Sequence, residues 1–244
     1  MFRSLISHHF PGPYTTEGAN SLAFLPLPWF SNDTSQILLS SSELKLATYQ
    51  PPNTSSQILA GYTAQNAILL RDLNRTDIAL MEIIYNDGTL TAGLQHPFSR
   101  GTVRIDTTDP FTPPIIDPRY LSHPTDIQLI LEAFKFLRTI ISGPSFDAIS
   151  PIELSPGVAV QSDEDLEAFI RANLNTLYHP SGTASMMKRE LGGVVDEELK
   201  VYGVQNLRVV DASVIPMLPA AHLQTTVYAV AEKVCCFPSP PIVD

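Results

Sequence analysis

Two histidines and one aspartate in the last third of the chain have side chains suited to acid–base chemistry. His179 stands in "LYHPSGTASM" (177–186), directly before a proline and a run of small residues, where a helix-like stretch becomes glycine- and serine-rich. His222 opens "HLQTTVYAVAEKV" (222–234), and Asp211 closes the apolar run of "LRVVDAS" (207–213). Imidazole titrates near neutrality, so a histidine in such a turn can take a proton from a hydroxyl, and a second one at the mouth of a helix can orient the same oxygen. A carboxylate at the carboxyl end of a buried strand commonly meets a ligand in α/β folds. Each residue also has a plain structural reading, as a packed or surface histidine or as a turn or cap aspartate. Their joint placement therefore has to carry the chemistry.

The elements that must position them follow from periodicity. Residues 1–35 are rich in Pro, Gly, Ser and His without a sustained period and read as irregular. Ile58, Leu59, Tyr62, Leu69 and Leu73 recur at helical spacing behind a Thr54 or Ser55 cap, with Gln65 and Asn66 interrupting the apolar face. Two apolar segments, 79–85 and 89–95, flank Asn86-Asp87-Gly88 and predict a β-hairpin. A short strand over 102–105 leads into a proline-punctuated extended segment that cannot be a central strand. Ile127, Ile130, Leu131, Phe134, Leu137 and Ile141 predict a helix over 125–142, with Asp126 in its first turn. A second helix, 163–174, opens on Ser162 with Asp165 as a capping box and presents Leu166, Phe169, Ile170 and Leu174 on one face. Leu207–Val210 predicts a buried strand ending at Asp211, and a helix follows His222.

The bulk properties narrow the class. At 244 residues with 44% apolar and 16% charged residues, the chain has the composition of a folded globular protein. A formal charge of −10, from 15 basic and 25 acidic residues, argues against nucleic acid or an anionic membrane as partner. Apolar runs such as "SLAFLPLPWF" are short and broken by proline, so none predicts a transmembrane helix. The start "MFRSLISHHFPGPY" is too short in apolar residues for a signal peptide. Only two cysteines occur, Cys235 and Cys236, adjacent near the end, so neither a disulfide framework nor a CxxC site is expected, and no metal site is expected either. Sequons at Asn32, Asn53 and Asn74 stand close to the roughly one or two expected by chance.

The order and spacing of the last blocks, "HPSGTASM", "GGVVDEELKVYGVQNLRVVDASVIP" and "HLQTTVYAVAEK", closely resemble the carboxy-terminal signature of the glucose-methanol-choline (GMC) oxidoreductases, FAD-dependent enzymes that oxidise alcohols. The interval from His179 to His222 is like the one that family keeps between its paired active-site residues. Upstream, "HPFSRGTVRIDTTDPFTPPIIDPRYLSHPTDI" resembles the block that opens its substrate-domain region. The resemblance is firm over 90–234 and loose over 20–90. It implies an α+β fold, with a substrate-binding domain of antiparallel sheet flanked by helices (36–175), the returning carboxy-terminal segment of the FAD-binding domain (176–234), an irregular start (1–35) and a tail (235–244). It also implies a small-molecule alcohol as substrate. His179 would take the hydroxyl proton while hydride passes to flavin, and His222 would hydrogen-bond the same oxygen. Asp211 and Ala212 would border the flavin's ribityl and phosphate region. Leu223, Gln224 and Thr225 would lie beside its ring, with the helix N-terminus favouring reduced anionic flavin. Ser99, Arg100 and Gly101 would be structural. The wording of "TASMMKRELGGVVD" and "VYAVAEK" is most similar to fungal members serving aryl-alcohol or secondary-metabolite chemistry; full-length relatives are often secretory.

The family's dinucleotide-binding unit is missing from the pattern: no GxGxxG occurs, and the paired glycines of "RELGG" open no helix. Two expectations follow: a truncated gene product of a flavin-dependent alcohol-oxidising family, or a half-enzyme working with a separately encoded amino-terminal half. The proline-broken tail "VCCFPSPPIVD" favours the first. Other functions compatible with the blocks are a non-redox cyclase using the two histidines as acid and base, and a non-catalytic family remnant.

Overall fold

The structure, a computed structural model, describes residues 21–86 and 89–235. A three-stranded antiparallel sheet, in the order β1 (Ser21–Leu25), β2 (Met81–Asn86), β3 (Thr89–Leu94), forms its centre. The hairpin is in the expected register, Met81 opposite Leu94 and Asn86 opposite Thr89, while Asp87 and Gly88 of its turn lie outside the described residues. Side chains alternate across a strand, so one face of β2 and the next residue's face differ in partner. Met81 and Ile83 enter the main apolar core with Leu90, Ala92 and Leu94 of β3. Glu82, directly opposite Gly93, belongs to the other face.

The core face is covered by helices. α4 (Pro124–Ile141) contributes Leu129, Ala133 and Leu137, and α3 (Ser56–Asp72) contributes Leu69, with Leu73 just beyond its end. Ser55 caps α3, accepting from the Ile58 N–H at 3.3 Å. Asp126 does more than complement the α4 dipole: it is buried and accepts the Phe98 and Ser99 N–H groups at 2.7 and 2.8 Å. Burial raises its carboxyl pKa against those two bonds and the Arg100 charge, which lower it. α5 (Asp163–Asn173) starts on Ser162, whose Oγ accepts the Asp165 N–H at 3.1 Å and donates to the Asp165 carboxylate at 2.7 Å. β4 (Thr102–Arg104) pairs with β5 (Ile115–Asp117) in a separate two-stranded arm.

Two sequence expectations fail for physical reasons. Within the stretch expected to be irregular, residues 21–30 are ordered: β1 pairs along β2, and α1 (Leu27–Phe30) follows. Pro26 and Pro28 at the helix start preset the backbone where a missing N–H costs nothing, so they begin a helix instead of breaking one. Residues 1–20 and the tail beyond 235 lie outside the described residues. α2 (Thr34–Ser42) completes this region. The Leu207–Val210 strand is not formed either; only an isolated bridge, Lys200 to Arg208, marks it. The run meets only the 199–201 segment, where the Val201 N–H donates to the Leu207 carbonyl at 3.0 Å and the Val209 N–H to the Leu199 carbonyl at 3.1 Å, a match too short to make a strand, and Leu207 and Val210 stay 48% and 36% exposed.

A second, smaller core holds Val195, Leu199, Val214, Ile215 and Leu223, packed by Val227 and Val230 of α6 (Leu223–Cys235). It joins the first core through α3. A Cβ on Gly61 would lie 2.1 Å from the Leu191 carbonyl oxygen, so the helix and the 189–191 turn touch backbone to backbone. Gln65 continues the joint, donating to the Pro216 carbonyl at 3.1 Å and accepting from Arg100. The polar break in the apolar face of α3 thus ties the two parts together. No helix among the described residues is long and apolar enough to cross a membrane.

Candidate active site

His179 is held by a loop rather than by an element. After α5, the Tyr178 N–H donates to Thr176 Oγ1 at 2.9 Å, and Tyr178 takes a left-handed conformation, φ 59°. For an aromatic residue that backbone costs about 1 kcal/mol or more, which the anchors on either side must offset. Before it, Leu177 lies over Gly93 of β3; a Cβ there would come 2.4 Å from Leu177 Cδ1. After it, Gly182 adopts φ +82° and its carbonyl accepts from Ser185 Oγ at 2.6 Å. The Ala184 and Met186 N–H groups donate to the Ser213 and Val214 carbonyls at 2.9 and 2.8 Å. His179 is left half-buried, with Nε2 shielded from solvent and without a hydrogen-bond partner among the described residues.

His222, immediately before α6, stands edge-on to it, the ring centroids 5.1 Å apart at 79°. Its Nε2 lies 2.8 Å from Glu82 Oε1, and the exposures of the two side chains differ sharply, 49% against 2%. The other oxygen of Glu82 accepts from Gln95 Nε2 at 3.1 Å. His96, next in the chain, is half-buried; desolvation lowers its pKa against the pull of a hydrogen bond to the Leu218 backbone, in the loop that delivers His222. Glu82 and Gln95 were not singled out by sequence reading. The available signal was parity: in "ALMEIIYN" an acid interrupts an apolar strand on the face opposite Met81 and Ile83.

The remaining predicted residues fall into two groups. Asp211 is an exposed cap of the short turn Ala212–Val214, accepting from the Ser213 N–H at 2.8 Å and its hydroxyl at 2.5 Å. That turn is joined to the His179 loop by the Ser213 and Val214 carbonyls. Leu223 is buried in the second core, which leaves its backbone rather than its side chain for a ligand, whereas Gln224 and Thr225 are exposed on the first turn of α6. Ser99 and Arg100 sit behind the site: Ser99 Oγ accepts the His123 N–H at 2.9 Å, and the Arg100 guanidinium bonds Gln65, Pro97 and Ser99 and lies over the Tyr62 ring. Burial pushes the Tyr62 phenol up to about 12. As a whole, the arrangement offers one unpartnered imidazole nitrogen beside a second imidazole backed by a buried carboxylate, which suits proton transfer at a single oxygen.

Residues 97–231 match the family model described as GMC oxidoreductase. A GMC oxidoreductase family protein of Malassezia sympodialis, Mala s 12, is 44% identical over 153 residues, covering 63% of the chain and 25% of that protein. The patulin synthase of Penicillium expansum is 35% identical over 238 residues, covering 92% of the chain and 35% of the synthase. Among solved structures, an FAD-dependent oxidoreductase from Chaetomium thermophilum superposes with a TM-score of 0.89 at 31% identity, over 95% of the chain and 41% of that structure. A fungal aryl-alcohol oxidase does so with 0.83 at 38% identity, over 91% and 39%. The chain thus spans between 25% and 41% of the length of these proteins.

Proposed function

Since the chain belongs to the GMC oxidoreductase family, we propose that it forms the proton-handling half of an FAD-dependent alcohol-oxidising site, in an enzyme of fungal secondary-metabolite or aryl-alcohol type. The observation that carries this reading is the facing pair His179 and His222, the first with an orphaned Nε2 and the second anchored on Glu82. A buried polar atom without a partner is costly, and a substrate hydroxyl at that point would satisfy it.

The residues present fit one side of a flavin. The exposed first turn of α6, with Gln224 and Thr225, offers backbone N–H groups and a positive helix end, and Asp211 and Ala212 form the adjoining turn. Gln224, Thr225, the Leu223 backbone, Asp211 and Ala212 would hold the group; a GxGxxG cradle for its pyrophosphate is absent from these 244 residues and is assigned to a separate amino-terminal portion. When bound, FAD supplies the acceptor for the two electrons leaving the substrate carbon. His179 takes the hydroxyl proton at Nε2, which makes the carbon a better hydride donor. His222 fixes the oxygen, and the Leu177 contact on Gly93 keeps the His179 loop in place.

The test joins this chain to an amino-terminal portion carrying a dinucleotide-binding unit and follows flavin bleaching by benzylic and aliphatic alcohols without oxygen. Bleaching that falls on the order of 10²–10⁴-fold in His179→Ala supports the reading. Bleaching unaffected by that change removes His179 from the role, and substrate turnover without bleaching selects a cyclase instead.

A further inference from the structure

The two-stranded arm leaves one strand edge open. β4 pairs only with β5, so the hydrogen-bonding groups on its other edge face no strand among the described residues. The base of the arm is fixed: the Arg119 guanidinium donates to the Tyr49 carbonyl at 3.1 Å, and a Cβ on Gly101 would lie 2.4 Å from the Asp117 carbonyl oxygen. Above it, Val103 stands opposite Ile116, so Val103, Ile105 and Ile116 share one face. Ile105 is 81% exposed and Ile116 66%. Proteins normally guard such an edge. β5 is guarded by Pro113, Pro114 and Pro118 on either side of it, which cannot donate to a further ladder. β4 is not: "GTVRIDTT" (101–108) holds no proline and runs without turn or bend to Thr107. Arg104 and Asp106 stand on the face away from Ile105, exposed and without an ion pair among the described residues.

We propose that the open edge of β4 is a self-association surface, occupied by β4 of a second copy of this chain. The two strands pair antiparallel about a two-fold axis at Ile105 and form a four-stranded sheet in the order β5, β4, β4, β5. Charge complementarity selects both the occupant and the register. With the axis at Ile105, that residue faces its own symmetry mate, and Arg104 of each copy faces Asp106 of the other. Moving the axis by one residue sets Arg104 against Arg104 or Asp106 against Asp106. Opposite charges across a strand pair stabilise it and like charges destabilise it, so a single register is favoured. Val103, Ile105 and Ile116 of both copies then line one face of the sheet. A lone strand pair covers less than the roughly 1,200 Å² at which stable interfaces begin, so the dimer is a weak one in equilibrium with the monomer. The inference goes beyond the reaction assigned above and does not depend on it.

Cysteine trapping in the full 244-residue chain tests this, with Cys235→Ser and Cys236→Ser as the background. Directly opposite residues of an antiparallel pair have Cα atoms about 4.5–5.5 Å apart, within disulfide reach, so Ile105→Cys is expected to link to its symmetry mate under mild oxidation. Ile116→Cys, also exposed, would lie on the outer strands, three spacings or about 14 Å apart, and is expected to stay unlinked. In sedimentation of the background chain, sodium chloride is expected to weaken the dimer, because its register rests on charge. Arg104→Asp or Asp106→Arg alters two symmetry-related contacts at once and is expected to weaken association at least about tenfold, while the double variant returns to within about threefold of the parent. No link at Ile105→Cys, equal linking at Ile116→Cys, or charge reversals that have no effect or are not rescued in the double variant overturn the proposal. Joining the chain to an amino-terminal dinucleotide-binding portion separates the remaining occupant. A link at Ile105→Cys that persists there supports the dimer, and one that disappears assigns the edge to that portion and overturns it.

Discussion

At the scale of single residues, polar groups are spent where burial makes them expensive. His123 shows the cost directly. It is fully buried between Tyr49 and Phe98, with ring centroids at 4.8 and 5.2 Å, and burial first, then the Arg100 charge, lowers its pKa to about 4. An unfolded histidine titrates near about 6.5, so the folded state binds fewer protons between those values. Its contribution is fully present above about pH 6.5 and is lost as pH falls toward 4, amounting to at most about 3 kcal/mol. Urea denaturation between pH 7.5 and 4.5 is therefore expected to become easier with acid, and His123→Phe is expected to flatten that dependence even though it gives up the cap on the Thr125 N–H. An unchanged slope in the variant would take His123 out of the acid sensitivity. His179→Ala belongs to this scale too: the residue is half-buried and its Nε2 makes no bond, so its loss is expected to change urea stability by less than about 1 kcal/mol while removing activity.

At the scale of elements, the joint between α3 and the 189–191 turn decides whether the two cores act together. Propensity alone says that Gly61→Ala should stabilise the interior of α3 by about 1 kcal/mol. The 2.1 Å approach to the Leu191 carbonyl oxygen opposes it, and because that atom is backbone, nothing cheap can move. Overpacking wins, and a net loss of about 1–3 kcal/mol is expected in urea melts; stabilisation would mean that the helix and the turn do not meet as described. Gly93→Ala is the contrasting case, since the obstacle is the end of a leucine side chain that can rotate aside. Its expected signature is a loss of activity larger than its loss of stability, because Leu177, once turned aside, no longer anchors the His179 loop on β3.

At the scale of the whole molecule, apolar surface remains uncovered where the second core meets its surroundings. Leu207 and Val210 are exposed in the run expected to be a strand, and Leu22 and Phe24 on the edge strand β1 are 43% and 37% exposed. Exposed apolar strand edges favour association. The chain alone is expected to bind a hydrophobic dye and to scatter light in proportion to concentration, and assembly with a dinucleotide-binding portion is expected to suppress both. A dye-silent, monomeric chain would argue that these residues need no cover.

Local chemistry was legible along the sequence. Hydrophobic period located α3, α4, α5, α6 and the hairpin, because amphipathic spacing is a property of neighbours in the chain, and the ordered blocks from "HPSGT" to "HLQTT" marked the family. Ser55 and Ser162 could be read as caps for the same reason, each bonding three residues ahead. What needed tertiary structure was every feature made by residues far apart. A sequence separation of 140 between Glu82 and His222 hides a 2.8 Å bond, and β1 exists only because β2 lies beside it. The failed strand at 207–210 is the reverse case, an apolar run that meets its neighbour, residues 199–201, at a single bridge and so forms no ladder. Sequence thus determined which residues could do chemistry and which segments could be helices. The packing of one sheet face decided which imidazole nitrogen is free, since a buried carboxylate must be paired and its partner's geometry follows from that requirement.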